Sequence, residues 1–189
     1  MTASIRQILT DAASSAADDI WLVAPETETS FSWHQTHKRA ETIACYLQGA
    51  GITAGASVAI AAPNGAAASF AFLGVVYGGF RATPLNLVAG VKTLSFVLSH
   101  SKTEVILCAD DCRALVDEAV ETLVETGEQA PRIIPMDVDY GPRWAEIDII
   151  PVKPASLTKP TADTIGLLMY TSGTTGVPKG VLLSHANLI

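Results

Sequence analysis

The sequence has few cysteines and no concentrated positive charge. Its three cysteines, Cys45, Cys108 and Cys112, form an odd set without a Cys-x-x-Cys pair, which argues against a disulfide framework and a zinc or redox motif. A reducing, cytoplasmic environment fits this pattern best. The 12 Lys and Arg residues are scattered against 19 Asp and Glu, giving a net charge of −7. This balance argues against a nucleic-acid partner.

Long apolar segments and targeting signals are also missing. The longest apolar run, residues 66–77, contains Ser69 and Gly74 and is too short to cross a bilayer. It predicts a buried helix instead. Asp11, Asp18 and Asp19 interrupt the amino-terminal region, which therefore has no signal-peptide pattern. We expect no membrane span.

Apolar residues make up 49% of the chain and alternate between strand-like and helix-like segments. Short apolar runs predict strands at residues 57–61, 80–83, 104–107 and 131–135. The segments between them carry helical spacing, and Asp110 and Asp111 are expected to cap one of these helices. Repeated strand-helix units predict an α/β fold, with a mainly parallel sheet and helices on both faces.

Two further segments have distinct patterns. Ser32 and Gln35 have the spacing of a capping box and predict a helix start. His34 and His37 on that helix could share a metal by spacing, but no third ligand lies nearby, so we expect both to face solvent. Residues 140–160 contain four prolines and no sustained period, which predicts an irregular connector.

The most informative stretch is the run from Tyr170 to Val181, Tyr-Thr-Ser-Gly-Thr-Thr-Gly-Val-Pro-Lys-Gly-Val, between two apolar strand-like segments. Glycines let a backbone approach a ligand closely, and exposed N–H groups attract anions. Hydroxyl groups add donors and Lys179 adds a positive charge. The combination predicts a strand-loop-strand that binds a polyphosphate. The P-loop is excluded because Gly180 rather than Ser or Thr follows Lys179, and the dinucleotide fingerprint because its third glycine and helix are absent.

This run resembles the signature loop of the adenylate-forming enzymes, which include acyl-CoA synthetases, luciferases and peptide-synthetase adenylation domains. Five flanking stretches are similar to the same family: Phe31 to Trp33 with the helix after it, where Gln35 replaces an acidic residue, Val58 to Asn64, Gly78 to Asn86, Ser95 to Leu107, and Ser184 to Leu188. The resemblance therefore runs from about residue 20 to the end. It implies that the chain is the amino-terminal portion of an AMP-binding domain.

The resemblance implies a two-step reaction in which a carboxylic acid attacks the α-phosphate of ATP and the acyl group then passes to a thiol. ATP with Mg²⁺ and CoA are the implied small molecules. The implied phosphate-binding residues are Thr171, Ser172, Gly173, Thr174, Thr175, Gly176 and Lys179. Lys179 is either a phosphate partner or an anchor for the loop. No catalytic residue or metal ligand is identified.

The patterns along the chain divide it into a leading segment (1–56), a βαβ core (57–139), a proline-rich connector (140–160) and a phosphate-loop hairpin (161–189). Because family members are more than twice this long, we expect this chain alone to be inactive. The alternative is a non-catalytic module that forms a homodimer or binds a partner through uncovered apolar surface. His185 is expected to pack near the first turn of a helix or to contact the entrance of the acyl site.

Overall fold

The structure, a computed structural model, describes residues 3–137, 140–171 and 178–189. The strands are β1 Ile20–Ala24, β2 Thr29–Ser32, β3 Ser57–Ala61, β4 Arg81–Pro84, β5 Thr103–Ala109, β6 Arg132–Asp137, β7 Gly141–Pro142, β8 Ile165–Thr171 and β9 Lys179–Ser184. The helices are α1 Ile5–Ser15, α2 Trp33–Gly49, α3 Ala66–Tyr77, α4 Val91–Ser101, α5 Arg113–Glu125 and α6 His185–Leu188.

Seven of these strands form one sheet in the order β7-β6-β5-β3-β4-β8-β9. The five inner strands are parallel, and β7 and β9 pair antiparallel with β6 and β8 at the two edges. Strands β1 and β2 form a separate antiparallel hairpin. The mainly parallel sheet predicted from the strand-helix alternation is therefore confirmed.

Strand β3 shows why helices cover both faces of the sheet. All five of its residues are buried. Val58 and Ile60 belong to a core formed with α2 and α3, whereas Ala59 and Ala61 belong to a core formed with α4 and α5. Successive side chains of a strand point to opposite faces, so an apolar strand without alternation requires cover on both.

The connector from residue 140 to 160 carries the chain across the α2 face of the sheet, from β7 to β8. Apart from β7 it contains only two short 3₁₀ turns, as its prolines predict. Its Trp144 ring stacks on Tyr46 of α2 at a centroid distance of 4.4 Å. The Val152 N–H donates to the carbonyl of Cys45 at 3.1 Å, and the side chain of Leu157 is buried in a cluster with residues of α1, α2 and α3. These contacts hold an otherwise irregular segment in place.

The predicted capping role of Asp110 and Asp111 is wrong. Asp110 lies in a 3₁₀ turn, α5 begins only at Arg113, and its cap position makes no side-chain hydrogen bond. Both carboxylate oxygens of Asp110 instead accept hydrogen bonds from the Arg143 guanidinium, at 2.7 and 2.8 Å. Such a bidentate ion pair gives Asp110 two charge-assisted hydrogen bonds with fixed geometry. It also ties the connector to the carboxyl end of β5.

Helices α2 and α3 pack so closely that Gly74 cannot be enlarged without movement. A Cβ atom added at Gly74 would lie 2.5 Å from Cβ and Cγ2 of Ile43. We expect Gly74→Ala to lower the free energy of unfolding by about 1–3 kcal/mol, measured by urea denaturation, because overpacking outweighs the helix preference of alanine. Ala68→Gly on the same helix is the control for that preference. Stabilisation by Gly74→Ala would contradict the close packing.

Candidate functional site

The paired strands β8 and β9 carry the predicted phosphate loop between them. Their antiparallel register places Thr171, the last residue of β8, opposite Lys179, the first residue of β9. The strand-loop-strand framework predicted from the sequence is thus present on both sides of the loop. Thr171 and Lys179 are brought together at its base. The other predicted phosphate-binding residues, Ser172, Gly173, Thr174, Thr175 and Gly176, lie outside the described residues.

The local sequence explains this hairpin. Leu167 and Leu168 of β8 are buried against the sheet, whereas Thr171 is exposed. Gly180 pairs with Tyr170, and a Cβ atom at Gly180 would lie 2.9 Å from a methyl carbon of Leu168 and 3.5 Å from the Tyr170 ring. The glycine therefore leaves space for the side chains of the neighbouring strand.

Lys179 and Thr171 are both exposed at the base of the loop. The Lys179 ammonium has no hydrogen-bond or ion-pair partner among residues 3–137, 140–171 and 178–189. An unpaired ammonium on a flexible stem is available to a negatively charged ligand. A role in contacting phosphate and a role in anchoring residues 172–177 both remain compatible with this position.

A histidine fixes the tyrosine next to the loop. The Tyr170 hydroxyl lies 2.7 Å from Nδ1 of His100, and the two rings meet edge to face at 5.7 Å. Phe96, one turn earlier on α4, also stacks on His100, at a centroid distance of 5.5 Å. Burial raises the pKa of Tyr170, so the phenol stays protonated and can donate to the imidazole. His100 lies in the last turn of α4, and no local pattern in the sequence indicates its contact with Tyr170.

A cavity of about 430 Å³ adjoins the hairpin at the carboxyl ends of β4 and β8; we call it the carboxyl-edge cavity. Its lining residues are Pro84, Leu85, Asn86, Ala89, Thr93, Leu94, Val97, Met169, Tyr170, Thr171 and Pro178. The α4 residues Leu94 and Val97 form an apolar wall, and Asn86, Thr93 and Thr171 supply polar groups. Open α/β sheets bind ligands outside the carboxyl ends of their strands, which is where this cavity lies.

His34 and His37 differ in their surroundings. His34 is exposed as expected, but His37 is half-buried and its Nε2 lies 3.0 Å from the Tyr77 hydroxyl. The prediction that both face solvent is therefore wrong for His37, because α3 packs against this part of α2. Within the described parts of the chain, no three His, Cys, Asp or Glu side chains cluster as a metal site would require.

His185 lies at the first turn of a helix, one of the two positions expected for it. It is completely buried, and its Nδ1 accepts a hydrogen bond of 3.1 Å from the backbone N–H of Ile5, the first residue of α1. Because Nδ1 accepts, Nε2 carries the proton, and Nε2 has no partner among the described residues. His185 thus joins the two ends of the described chain rather than the carboxyl-edge cavity.

Comparison with known protein families identifies the family to which a chain with this hairpin and sheet belongs. The family model described as AMP-binding enzyme matches residues 9–189, almost the whole chain. The chain belongs to this family. The resemblance inferred from the loop and its flanks is therefore confirmed. None of the helices in the described ranges is long and apolar enough to span a membrane.

Individual AMP-binding relatives support the assignment. A sulfoacetate–CoA ligase from Cupriavidus necator is 30% identical over 178 residues, covering 91% of this chain and 33% of that protein. A 4-hydroxyphenylalkanoate adenylyltransferase from Mycobacterium marinum is 33% identical over 169 residues, covering 86% of this chain and 25% of that protein. The chain therefore spans a third or less of the length of these curated relatives.

The fold of this family member also has solved counterparts. A fatty acyl CoA synthetase from Mycobacterium tuberculosis superposes with a TM-score of 0.80 at 25% identity, covering 96% of this chain and 34% of that structure. The described sheet, helices and hairpin thus correspond to about a third of a larger structure.

Acidification should destabilise this member of the AMP-binding enzyme family through His185. Burial lowers the pKa of His185 from 6.5, so below about pH 6.5 the unfolded state binds more protons than the folded state. We expect the free energy of unfolding, measured by urea denaturation, to fall as pH drops below that value. Burial also lowers the pKa of His37, which adds to the same trend.

The matched comparison measures how steeply the free energy of unfolding changes with pH, rather than its value at a single pH. We expect His185→Gln to flatten the slope and His34→Gln, on the exposed side of α2, to leave it unchanged. An unaltered slope in His185→Gln would show that His185 is not the group responsible.

Proposed function

We propose that this chain forms the phosphate-binding part of the nucleotide site of an ATP-dependent acid–thiol ligase. The observation that carries the proposal is the pairing of Thr171 with Lys179 across the base of the loop at residues 172–177. It supports a site in which hydroxyl groups, backbone N–H groups and one ammonium contact the β- and γ-phosphates of ATP. The names of the relatives, a CoA ligase and an adenylyltransferase, agree with nucleotide-dependent activation of an acid.

The proposed chemistry begins with attack of a carboxylate oxygen on the α-phosphorus of ATP. The bond from that phosphorus to the bridging oxygen breaks, pyrophosphate leaves and an acyl-adenylate forms. A thiol, that of CoA, then attacks the acyl carbon and AMP leaves. Such transfers depend mainly on positioning and on stabilisation of phosphate charge. Lys179 would neutralise charge on the leaving pyrophosphate, and Thr171 would donate its hydroxyl.

The residues around the carboxyl-edge cavity fit a nucleotide better than they fit an independent metal site. Thr171 lines the cavity and is exposed, Lys179 is exposed opposite it on β9, and Leu94 and Val97 offer an apolar wall to a non-polar group. Its described lining contains no carboxylate. We therefore assign no Mg²⁺ ligand in this chain, and Mg²⁺ enters the proposal only as the ion that accompanies ATP.

We propose further that the complete reaction needs residues beyond those that this chain shares with its relatives, since the matched region is a third or less of each. The chain would then bind ATP weakly and not turn it over alone. The proposal assigns the acyl substrate to the class of carboxylic acids.

A second candidate, non-catalytic self-association, rests on β9. It is the last strand of the sheet in the described part of the chain, and Val181 and Leu182 are 44% and 53% exposed. Met169, the cross-strand partner of Val181, is also exposed. An apolar edge strand with unpaired backbone groups can pair with the same strand of a second copy.

The nucleotide proposal predicts that Lys179→Ala weakens ATP binding about tenfold, as loss of a charge-assisted hydrogen bond requires. Binding would be measured by isothermal titration calorimetry on the 189-residue chain. AMP binding should change less, because AMP lacks the β- and γ-phosphates. Lys153→Ala, an exposed lysine of the connector, is the matched control. Equal ATP affinity in Lys179→Ala and the unmodified chain would sink the assignment of Lys179.

Pyrophosphate exchange on the same protein tests whether it acts alone. We expect no carboxylate-dependent incorporation of labelled pyrophosphate into ATP over a panel of carboxylic acids. Robust exchange would show that the chain completes adenylation without further residues, while leaving the nucleotide site itself supported.

The self-association candidate predicts a dimer in multi-angle light scattering at high protein concentration. Leu182→Lys should shift the chain to monomer, because a charged side chain on an edge strand opposes strand pairing. Val124→Lys, at a similarly exposed position on α5, should leave the dimer intact. A monomer at every concentration would rule this candidate out.

A further inference from the structure

A second cavity, lined mainly by polar residues, lies at the amino-terminal ends of the parallel strands, whereas the loop at residues 172–177 follows the carboxyl end of β8. The cavity encloses about 350 Å³ between α1, α2, the end of α3 and the connector, and we call it the amino-edge cavity. Tyr77 ends α3 just before β4 begins, and Pro160 precedes β8. Both lining residues therefore come from the amino-terminal ends of these parallel strands. The carboxyl-edge cavity lies at the other end of the same strands.

Two contacts fix Arg6 in the wall of the amino-edge cavity. Its Cζ lies 4.7 Å from the centroid of the Tyr77 ring, and its Nη1 donates to the Thr158 carbonyl at 3.0 Å. A guanidinium has five N–H donors in a fixed fork, so the others remain available to a ligand. Lys159, the next residue after Thr158, lines the same cavity. Arg6 and Lys159 thus converge from two different elements.

The positive charge of these two side chains is not neutralised by protein groups in the described ranges. Neither Arg6 nor Lys159 forms an ion pair with a carboxylate there. Glu41 is the one carboxylate in the described lining, and its Oε2 already lies 3.2 Å from the Lys38 ammonium. The cavity therefore favours a negatively charged occupant.

His37, in the inner wall of the cavity, is a titratable group whose protonation would respond to a bound anion. The Tyr77 side chain is buried, and its hydroxyl lies 3.0 Å from Nε2 of His37. Burial lowers the pKa of His37 and so favours the neutral imidazole, which accepts from this hydroxyl in the tautomer protonated at Nδ1. A bound anion would favour the imidazolium, which donates from Nε2 and leaves the Tyr77 hydroxyl free to donate to the ligand. The titratable or charged groups around His37 are Arg6 on α1, His34, Lys38 and Glu41 on α2, Tyr77 on α3 and Lys159 in the connector.

We propose that the amino-edge cavity binds a small molecule carrying a dianionic oxyanion, a phosphate or sulfate group, through Arg6 and Lys159. A guanidinium fork and an ammonium together match a tetrahedral dianion with several acceptor oxygens. The volume lies within the range of small-molecule sites. This site is separate from the proposed nucleotide site and does not depend on it.

The test uses sulfate as the probe, because it keeps its double charge over the pH range in which histidine titrates. The protein is the full chain carrying Lys179→Gln, which weakens any binding at the loop. NMR would follow the ring signals of His37, assigned with His37→Asn. We expect a saturable shift of these signals and a rise in the pKa of His37 when sulfate is added.

Two variants locate the ligand. Arg6→Gln and Lys159→Gln should each weaken sulfate binding about tenfold, as expected for loss of a charge-assisted hydrogen bond. Lys153→Gln, elsewhere on the connector, should leave the affinity unchanged. If circular dichroism shows that Arg6→Gln reduces the helix content, the sulfate affinity of Lys159→Gln is the deciding measurement, because Lys159 is exposed. No saturable change at His37, or undiminished binding in Lys159→Gln, would overturn the proposal.

Discussion

The fold depends on covering both faces of a central parallel strand. Val58 and Ile60 of β3 face one core, and Ala59 and Ala61 face the other. An apolar strand of this kind is stable only when helices shield each face from water. Placing α3 on one face and α4 on the other satisfies that requirement. It also directs the parallel strands so that β4 and β8 end at the same edge, where the carboxyl-edge cavity opens.

The position of the loop then follows from the connector. After β6 the chain must return across the sheet to add β8 beside β4. It does so without a long helix, held by the stacking of Trp144 on Tyr46 and by the ion pair between Arg143 and Asp110. One aromatic stacking contact and one ion pair thus hold this connection, where a crossover helix would be held by its packed apolar face. Strand β8 consequently delivers Thr171 and the residues after it to the carboxyl edge.

Features set by neighbouring residues could be predicted, and features set by distant ones could not. The capping box of Ser32 and Gln35 and the buried β3 follow from local spacing, and both are present. The contact of His100 with Tyr170 joins residues 70 positions apart, and that of His37 with Tyr77 joins residues 40 positions apart. No periodicity encodes such pairs. The misassigned cap at Asp110 has the same origin, since its true partner lies 33 positions away.

Helix α1 shows how distant contacts create surfaces that sequence patterns do not reveal. Three neighbouring features hold it: the Ile5 N–H binds His185, the Arg6 guanidinium lies on Tyr77 and reaches Thr158, and Leu9 is buried. Together they dock α1 against α3, the connector and the first residue after β9. The same docking brings Arg6 to the cavity that Lys159 lines. Arg6 is an isolated charge in the sequence. In the fold it lines one cavity together with Lys159, because backbone and side-chain contacts both hold α1 in place.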